Sequence, residues 1–169
     1  MGNIVAKFGG SSLSDAGQFR KVRQIIAMDP RRAYVVPSAP GRRFEQDDKV
    51  TDLLYAVWRL HRDGGDWQTA FAQVEERYRQ IAGELKLALD LDREFQIIRT
   101  GIAEGEGEDY CASRGEYLNG LLLSDFLGFS FIDPRDCIFF AENGAFDSER
   151  TDAELGRRLS GVPNAVVPG

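Results

Sequence analysis

Apolar residues in this chain fall into two patterns: short runs bounded by glycine or proline, and longer segments in which they recur every three or four positions. The first pattern reads as strand and the second as amphipathic helix. A strand is predicted over 3–8, followed by a helix over about 15–28 in which Phe19, Val22, Ile25 and Ile26 share one face and which Pro30 ends. A second strand covers 33–37, and a helix begins at Lys49 and runs through Leu53, Leu54, Val57, Trp58 and Leu60. From Asp66 to Leu89 the residues Trp67, Phe71, Val74, Tyr78, Ile81 and Leu85 alternate in steps of four and three, the firmest helical signal in the chain. Further helices are expected over 92–103, 113–127 and 151–160, with strands over 129–132 and 137–141 and a last strand entered at Asn164. This order predicts an α/β layer fold with a mainly parallel sheet.

The Trp67-to-Leu85 stripe is too short for a long coiled coil, and an apolar helix follows it, so an internal helical hairpin is expected. The polar segment Arg42 to Asp48 reads as a mobile loop, and Glu104 to Asp109 as a solvated turn. No internal repeat is evident. The final Asn164-Ala165-Val166-Val167-Pro168-Gly169 stops where a buried parallel strand normally continues into a connecting helix, which gives the expectation of a cut inside a larger domain.

With 169 residues the chain fits one domain able to bury a core of its own. A net charge of −6 argues against a nucleic-acid partner, and the pairs Arg31/Arg32, Arg42/Arg43 and Arg157/Arg158 are scattered instead of forming a patch. No apolar run approaches the roughly 18 residues a membrane helix requires. The start Met1-Gly2-Asn3-Ile4-Val5 shows no basic flank or apolar signal core, so a cytoplasmic location is the default expectation. Ala6 stands where a myristoylation motif needs serine or threonine. Cys111 and Cys137 lack paired spacing and are expected to be reduced thiols, while His61, the sole histidine, reads as a helix-end contact beside Arg59 and Arg62.

The candidate chemistry begins at Ile4-Val5-Ala6-Lys7-Phe8-Gly9-Gly10-Ser11-Ser12-Leu13, where a strand runs into a glycine pair flanked by a lysine and hydroxyls. Glycines let backbone N–H groups approach a phosphoanion and a lysine offsets its charge, so these residues suit a phosphate cradle. The lysine precedes the glycines, which matches neither the common P-loop nor the dinucleotide fingerprint. A plain strand-to-helix turn with Lys7 on a sheet edge fits the same residues. Ser38 to Gly41 opens from the end of the second strand, where ligands sit in open α/β sheets. Thr51 or Asp52 also fits an N-cap, Ser38 a turn, and Ser113 with Glu116 a capping box.

Five segments occur in one order: Lys7-Phe8-Gly9-Gly10-Ser11-Ser12-Leu13, Ser38-Ala39-Pro40-Gly41, Lys49-Val50-Thr51-Asp52-Leu53-Leu54, Ser113-Arg114-Gly115-Glu116-Tyr117-Leu118 and Phe131-Ile132-Asp133-Pro134-Arg135-Asp136. Together they resemble the N-terminal part of the aspartokinases, over essentially the whole chain. The resemblance implies a three-layer α/β/α sandwich of the amino-acid-kinase (carbamate-kinase-like) type. It implies ATP-dependent phosphorylation of the side-chain carboxylate of L-aspartate with Mg²⁺, the first step of lysine, threonine and methionine biosynthesis. Lys7, Phe8, Gly9, Gly10 and Ser11 would contact the transferring phosphates, with Lys7 catalytic, while Ser38, Thr51 and Glu116 would form the aspartate pocket. Glu116 would accept charge-assisted hydrogen bonds from the substrate α-ammonium, with Asn119 and Gly120 leaving a small-residue face beside it. No residue is assigned as a metal ligand. The resemblance allows a homo-oligomer in the full-length protein.

On this reading residues 1–169 form the phosphate and aspartate side of a kinase domain, with the purine pocket, the remaining catalytic residues and the regulatory domains absent, so the chain alone is expected to phosphorylate aspartate poorly or not at all. Another amino-acid kinase, acting on glutamate or a carbamate-like substrate, is disfavoured by Lys49-Val50-Thr51-Asp52 and Ser113-Arg114-Gly115-Glu116. A non-catalytic module of the same fold would use the Trp67-to-Leu85 stripe as an exposed interface.

Overall fold

The computed structural model describes residues 2–169; Met1, part of the amino-terminal start read above, lies outside them. Four strands, β1 (Val5–Phe8), β2 (Tyr34–Pro37), β3 (Ser130–Phe131) and β4 (Ala165–Val166), make one parallel sheet in the order β1-β2-β4-β3. The register sets Val5 beside Tyr34 and Phe8 beside Pro37, and places Ala165 between Tyr34 and Ser130. The helices are α1 (Ala16–Ala27), α2 (Val50–Arg62), α3 (Trp67–Leu85), α4 (Leu91–Ala103), α5 (Glu108–Leu127) and α6 (Ser148–Leu159), with short 3-10 turns at Gly10–Leu13 and Pro134–Asp136.

Side chains alternate across a strand, and here the alternation separates two cores. Val35 and Val166 point into the large one, shared with α1 to α5, whereas Tyr34, Ala165 and Val167 join a smaller cluster with Ile132, Cys137, Leu155 and Leu159. The sheet therefore carries a thick helical layer on one face and α6 on the other, the expected α/β/α sandwich. The α6 face is incompletely covered among the described residues, and Val5 on β1 remains 64% exposed.

Aspartates start four of the helices for a shared reason: Asp15, Asp66, Asp90 and Asp147 each accept a bond from the backbone N–H three residues on, an orphan donor of the first turn. Helix α5 ends at Gly128, whose φ of 71° suits glycine. The α3 stripe is an internal surface: Trp67, Phe71, Val74, Tyr78 and Ile81 are buried, packing more extensively on α2 than on α4. Phe71 meets Phe95 of α4 edge-on at 6.3 Å, and the Tyr78 hydroxyl donates to the Gly115 carbonyl at 2.6 Å. Cys111 and Cys137 are buried free thiols.

Three sequence readings change. Helix α5 starts at Glu108, five residues earlier than expected, so the Ser113/Glu116 capping box does not form; the Ser113 hydroxyl donates one turn back to the Tyr110 carbonyl at 2.8 Å, and Glu116 lies inside the helix. The apolar run 137–141 is not a strand: Cys137 fills the small core, and Phe140, 64% exposed, makes only an isolated antiparallel bridge to Phe146. The 42–48 loop is pinned through the buried carboxylate of Asp47, which takes bonds from Arg43 and from Arg77 of α3.

Candidate active site

At the C-terminal ends of β1 and β2 lies a cleft of about 510 Å³. Its walls come from the turn after β1 (Gly10, Ser11), the loop after β2 (Ser38 to Arg42), the start of α2 (Lys49, Thr51) and the middle of α5 (Glu116). Four of the five segments singled out in the sequence thus meet at one opening. The fifth, Phe131 to Asp136, goes elsewhere: Asp133, Pro134 and Arg135 line a neighbouring cleft with Ser113, Arg114 and Tyr117. Arg114 is buried there with its guanidinium 4.7 Å from the ring centres of both Tyr110 and Tyr117, a cation–π sandwich.

Backbone lacing builds the main cleft. Ser38 N–H donates to Phe8 O at 3.0 Å, Gly41 N–H to Gly10 O at 2.8 Å, and Val50 N–H to Pro40 O at 3.1 Å. Gly10 and Gly41 touch backbone to backbone. A Cβ on Gly10 would stand 2.8 Å from the Ala39 carbonyl oxygen, and one on Gly41 would stand 2.7 Å from the Gly10 carbonyl carbon. Neither position admits a side chain without moving main chain. Gly9 differs: it is exposed, in extended backbone, and a Cβ there would meet nothing within 4 Å. It leaves bare main chain open to a ligand at the entry of the 3-10 turn, which no side chain caps.

The candidate residues hold distinct places in this frame. Gly10, Ser11, Ser38, Thr51 and Glu116 line the cleft. Lys7 is exposed, and its charge acts on Glu116. Phe8 packs its ring against the large core, and its carbonyl accepts from the Ser38 N–H. Thr51 is not a cap, because Lys49 holds that position without a side-chain bond. Burial raises the Glu116 carboxyl above its ordinary value, with Lys7 opposing the shift. Among the described residues Glu116 makes no hydrogen bond or ion pair. A half-buried carboxylate without a partner, facing a cleft, is an acceptor ready for a cationic group.

Arg42 and Lys49 also line the cleft and make its rim basic. Arg42 is one of the scattered arginines of the sequence, and only the path of the loop brings it here. Asn119 and Gly120 do not form the open face expected beside Glu116. Asn119 is fully buried and donates its amide to the Ser38 carbonyl at 2.6 Å, its Oδ1 having no hydrogen-bond partner. Gly120 is small because Pro168 and Phe131 occupy the space a Cβ would take. No group of three histidine, cysteine or acidic side chains among the described residues could hold a metal ion, and no described helix is long and apolar enough to cross a membrane.

The fold is a parallel α/β/α sandwich, and its glycine-lined, basic-rimmed cleft lies at the carboxyl ends of the strands, where open α/β sheets bind their ligands. The chain belongs to the amino acid kinase family, whose model matches residues 3–162. It is 33% identical over 150 residues to aspartokinase 3 of Bacillus subtilis, covering 82% of this chain and 33% of that protein. The crystal structure of Clostridium acetobutylicum aspartate kinase superposes with a TM-score of 0.96 at 40% identity, covering 100% of this chain and 39% of that one. Escherichia coli aspartokinase III in complex with aspartate and ADP shares the fold, with a TM-score of 0.76 at 19% identity, over 99% of this chain and 40% of that one. The chain thus spans between a third and two fifths of the length of these relatives.

Proposed function

We propose that this chain supplies the phosphate and aspartate side of an aspartokinase site, in which ATP phosphorylates the side-chain carboxylate of L-aspartate to give 4-phospho-L-aspartate. The observation that carries the reading is Glu116, an unpartnered, half-buried carboxylate set in a cleft otherwise rimmed by cations, hydroxyls and bare backbone. It would take the substrate α-ammonium, while Ser38 and Thr51 donate hydroxyls to the carboxylates. Lys7, Gly9, Gly10 and Ser11 would hold the phosphates, with Arg42 and Lys49 adding positive charge at the rim. The acceptor carboxylate is already ionised at neutral pH, so its oxygen attacks the γ-phosphorus and ADP leaves with no proton to be removed. Such a reaction needs positioning and charge neutralisation more than covalent catalysis. Magnesium, carried on the nucleotide phosphates, would supply further charge neutralisation. With the chain matching 39% of its Clostridium relative, we propose low or no turnover for residues 1–169 alone. The burial of the α3 stripe counts against a module that uses that stripe as an interface.

Calorimetric titration with L-aspartate and with succinate, which lacks the ammonium, tests the assignment. L-Aspartate should bind at least about ten-fold more tightly, given the strength of a charge-assisted bond to a part-buried carboxylate, and Glu116→Gln should abolish the difference. Equal affinity for the two ligands in the unmodified chain would refute it.

A further inference from the structure

We infer that Arg77 is a positioning residue for the candidate site: with Asp47 it clamps the loop after β2 against the phosphate turn, acting through the backbone of Gly41. The inference rests on the site assignment above and adds a residue that no part of that assignment contains. Twelve residues, 38–49, run between β2 and α2 without regular secondary structure, and two of the four cleft walls are drawn from them. A polar loop of this kind is normally the mobile part of an α/β protein. Here it is tied from beneath.

Asp47 and Arg77 are only 8% and 5% exposed, although both carry charge. The Asp47 carboxylate accepts from Arg43 Nε at 2.8 Å, from Arg43 Nη2 at 2.8 Å and from the Arg43 backbone N–H at 2.9 Å. Arg77 Nη2 approaches its two oxygens at 2.8 and 2.7 Å. The other arm of the same guanidinium, Nη1, donates to the Gly41 carbonyl at 3.1 Å. Gly41 in turn donates its N–H to the Gly10 carbonyl at 2.8 Å. One planar fork from α3 therefore fixes both the far end of the loop, at Asp47, and the residue that presses on the phosphate turn.

The contact it presses on is stiff. With no side chains between Gly10 and Gly41, a displacement of the loop has nothing soft to absorb it, and the turn carrying Gly10 and Ser11 must follow. A lysine at position 77 could keep a charge near Asp47 but lacks the second arm that reaches Gly41. The clamp thus depends on the geometry of arginine and not on its charge alone.

The test compares Arg77→Lys with Glu75→Gln, a change to an equally buried charge on the opposite shoulder of α3 that touches no part of the cleft. The whole 169-residue chain is used, with two readouts: amide hydrogen exchange at Gly41 and calorimetric L-aspartate affinity. Arg77→Lys should reduce Gly41 protection and weaken aspartate each by about ten-fold, because small misplacements of binding groups are costly, while Glu75→Gln should change both by less than about two-fold. Should Arg77→Lys fail to fold, the paired replacement Arg77→Met with Asp47→Leu removes both charges together, and it should fold with Gly41 unprotected. Unchanged Gly41 protection in either variant, or equal loss in Glu75→Gln, would overturn the clamp. If the unmodified chain binds no aspartate, the site assignment fails while the exchange measurement still decides the clamp.

Discussion

The two shoulders of helix α3 carry buried charges two residues apart in sequence, yet they tie down different things. On one shoulder Glu75 accepts from Arg99 of α4 at 2.7 Å and from Arg79 at 3.1 Å, joining helix to helix. On the other, Arg77 holds Asp47 and Gly41, joining helix to a loop that lines the cleft. Glu75 and Arg77 are each 5% exposed, so burial does not separate them. What separates them is the attachment of the partner. A charge paired with a neighbouring helix reinforces a scaffold that apolar packing already defines; a charge paired with a loop supplies the order that packing cannot.

The largest effect should come from removing the anchor of the loop. Arg77→Met leaves Asp47 buried with only Arg43, and loss of one partner from a buried pair costs roughly 3–5 kcal/mol, read as a lower urea midpoint, with aspartate binding lost as well. Glu75→Gln leaves Arg99 and Arg79, both partly open to water, and should cost roughly 1–3 kcal/mol while aspartate affinity stays within about two-fold of the unmodified chain. Parallel loss of binding in both variants would dissolve the distinction between the shoulders.

Acidity separates the loop carboxylate from the cleft carboxylate, because their shifts run in opposite senses. Arg43, and behind it Arg77, hold the Asp47 carboxyl well below its ordinary value of 3.8, so its stabilisation is complete above that pH and is lost as acid protonates it in the folded state. Glu116 is raised above its ordinary 4.5, so the folded chain loses stability as pH climbs from there through the raised value, where the buried charge forms. Glu116→Gln should accordingly stabilise the chain at neutral pH while removing aspartate discrimination. Thermal midpoints measured from pH 3 to 8 check both signs; a variant that loses stability at pH 7 would contradict the cleft assignment of Glu116. Aspartate affinity should also fall as pH drops through the raised value and Glu116 takes up a proton.

The smallest effect belongs to an exposed pair. Asp63, bonded to Arg62 at 2.7 Å with both side chains more than half exposed, should tolerate Asp63→Asn with no measurable change in urea midpoint or ligand affinity. A shift as large as that of Glu75→Gln would mean that burial is not what gives the α3 charges their weight.

Much of this molecule was legible in the order of its residues. Short apolar runs and periods of three to four mark most of the segments as strand or helix, and the stripe from Trp67 to Ile81 is buried as its spacing requires. The four segments that meet at the cleft were visible as a glycine pair and hydroxyls after two strands and as hydroxyl and carboxylate residues of two helical segments. Errors arose where a local signal had two outcomes. Gly105 and Gly107 masked the true start of α5 at Glu108, which moved Glu116 from a helix cap to a helix interior. The apolar run after Asp136 suggested a strand, but its Cys137 is spent on the small core and no neighbouring strand pairs with it beyond one bridge.

The loop from Ser38 to Lys49 is the clearest case of information absent from the local sequence. Nothing in Arg42 to Asp48 distinguishes a pinned loop from a free one, because its anchor, Arg77, lies thirty residues away. One hint existed: Glu75 and Arg77 sit on the margins of an apolar stripe, where an unpaired charge would be costly. The chain by itself determined its periodicities, its caps and the chemistry available at the strand ends, since these depend on neighbours within a few residues. Which carboxylate would stand alone in the cleft, which glycines would touch, and which arginine would hold the loop depended on contacts between distant segments, and those exist only once the sheet and helices have closed on one another.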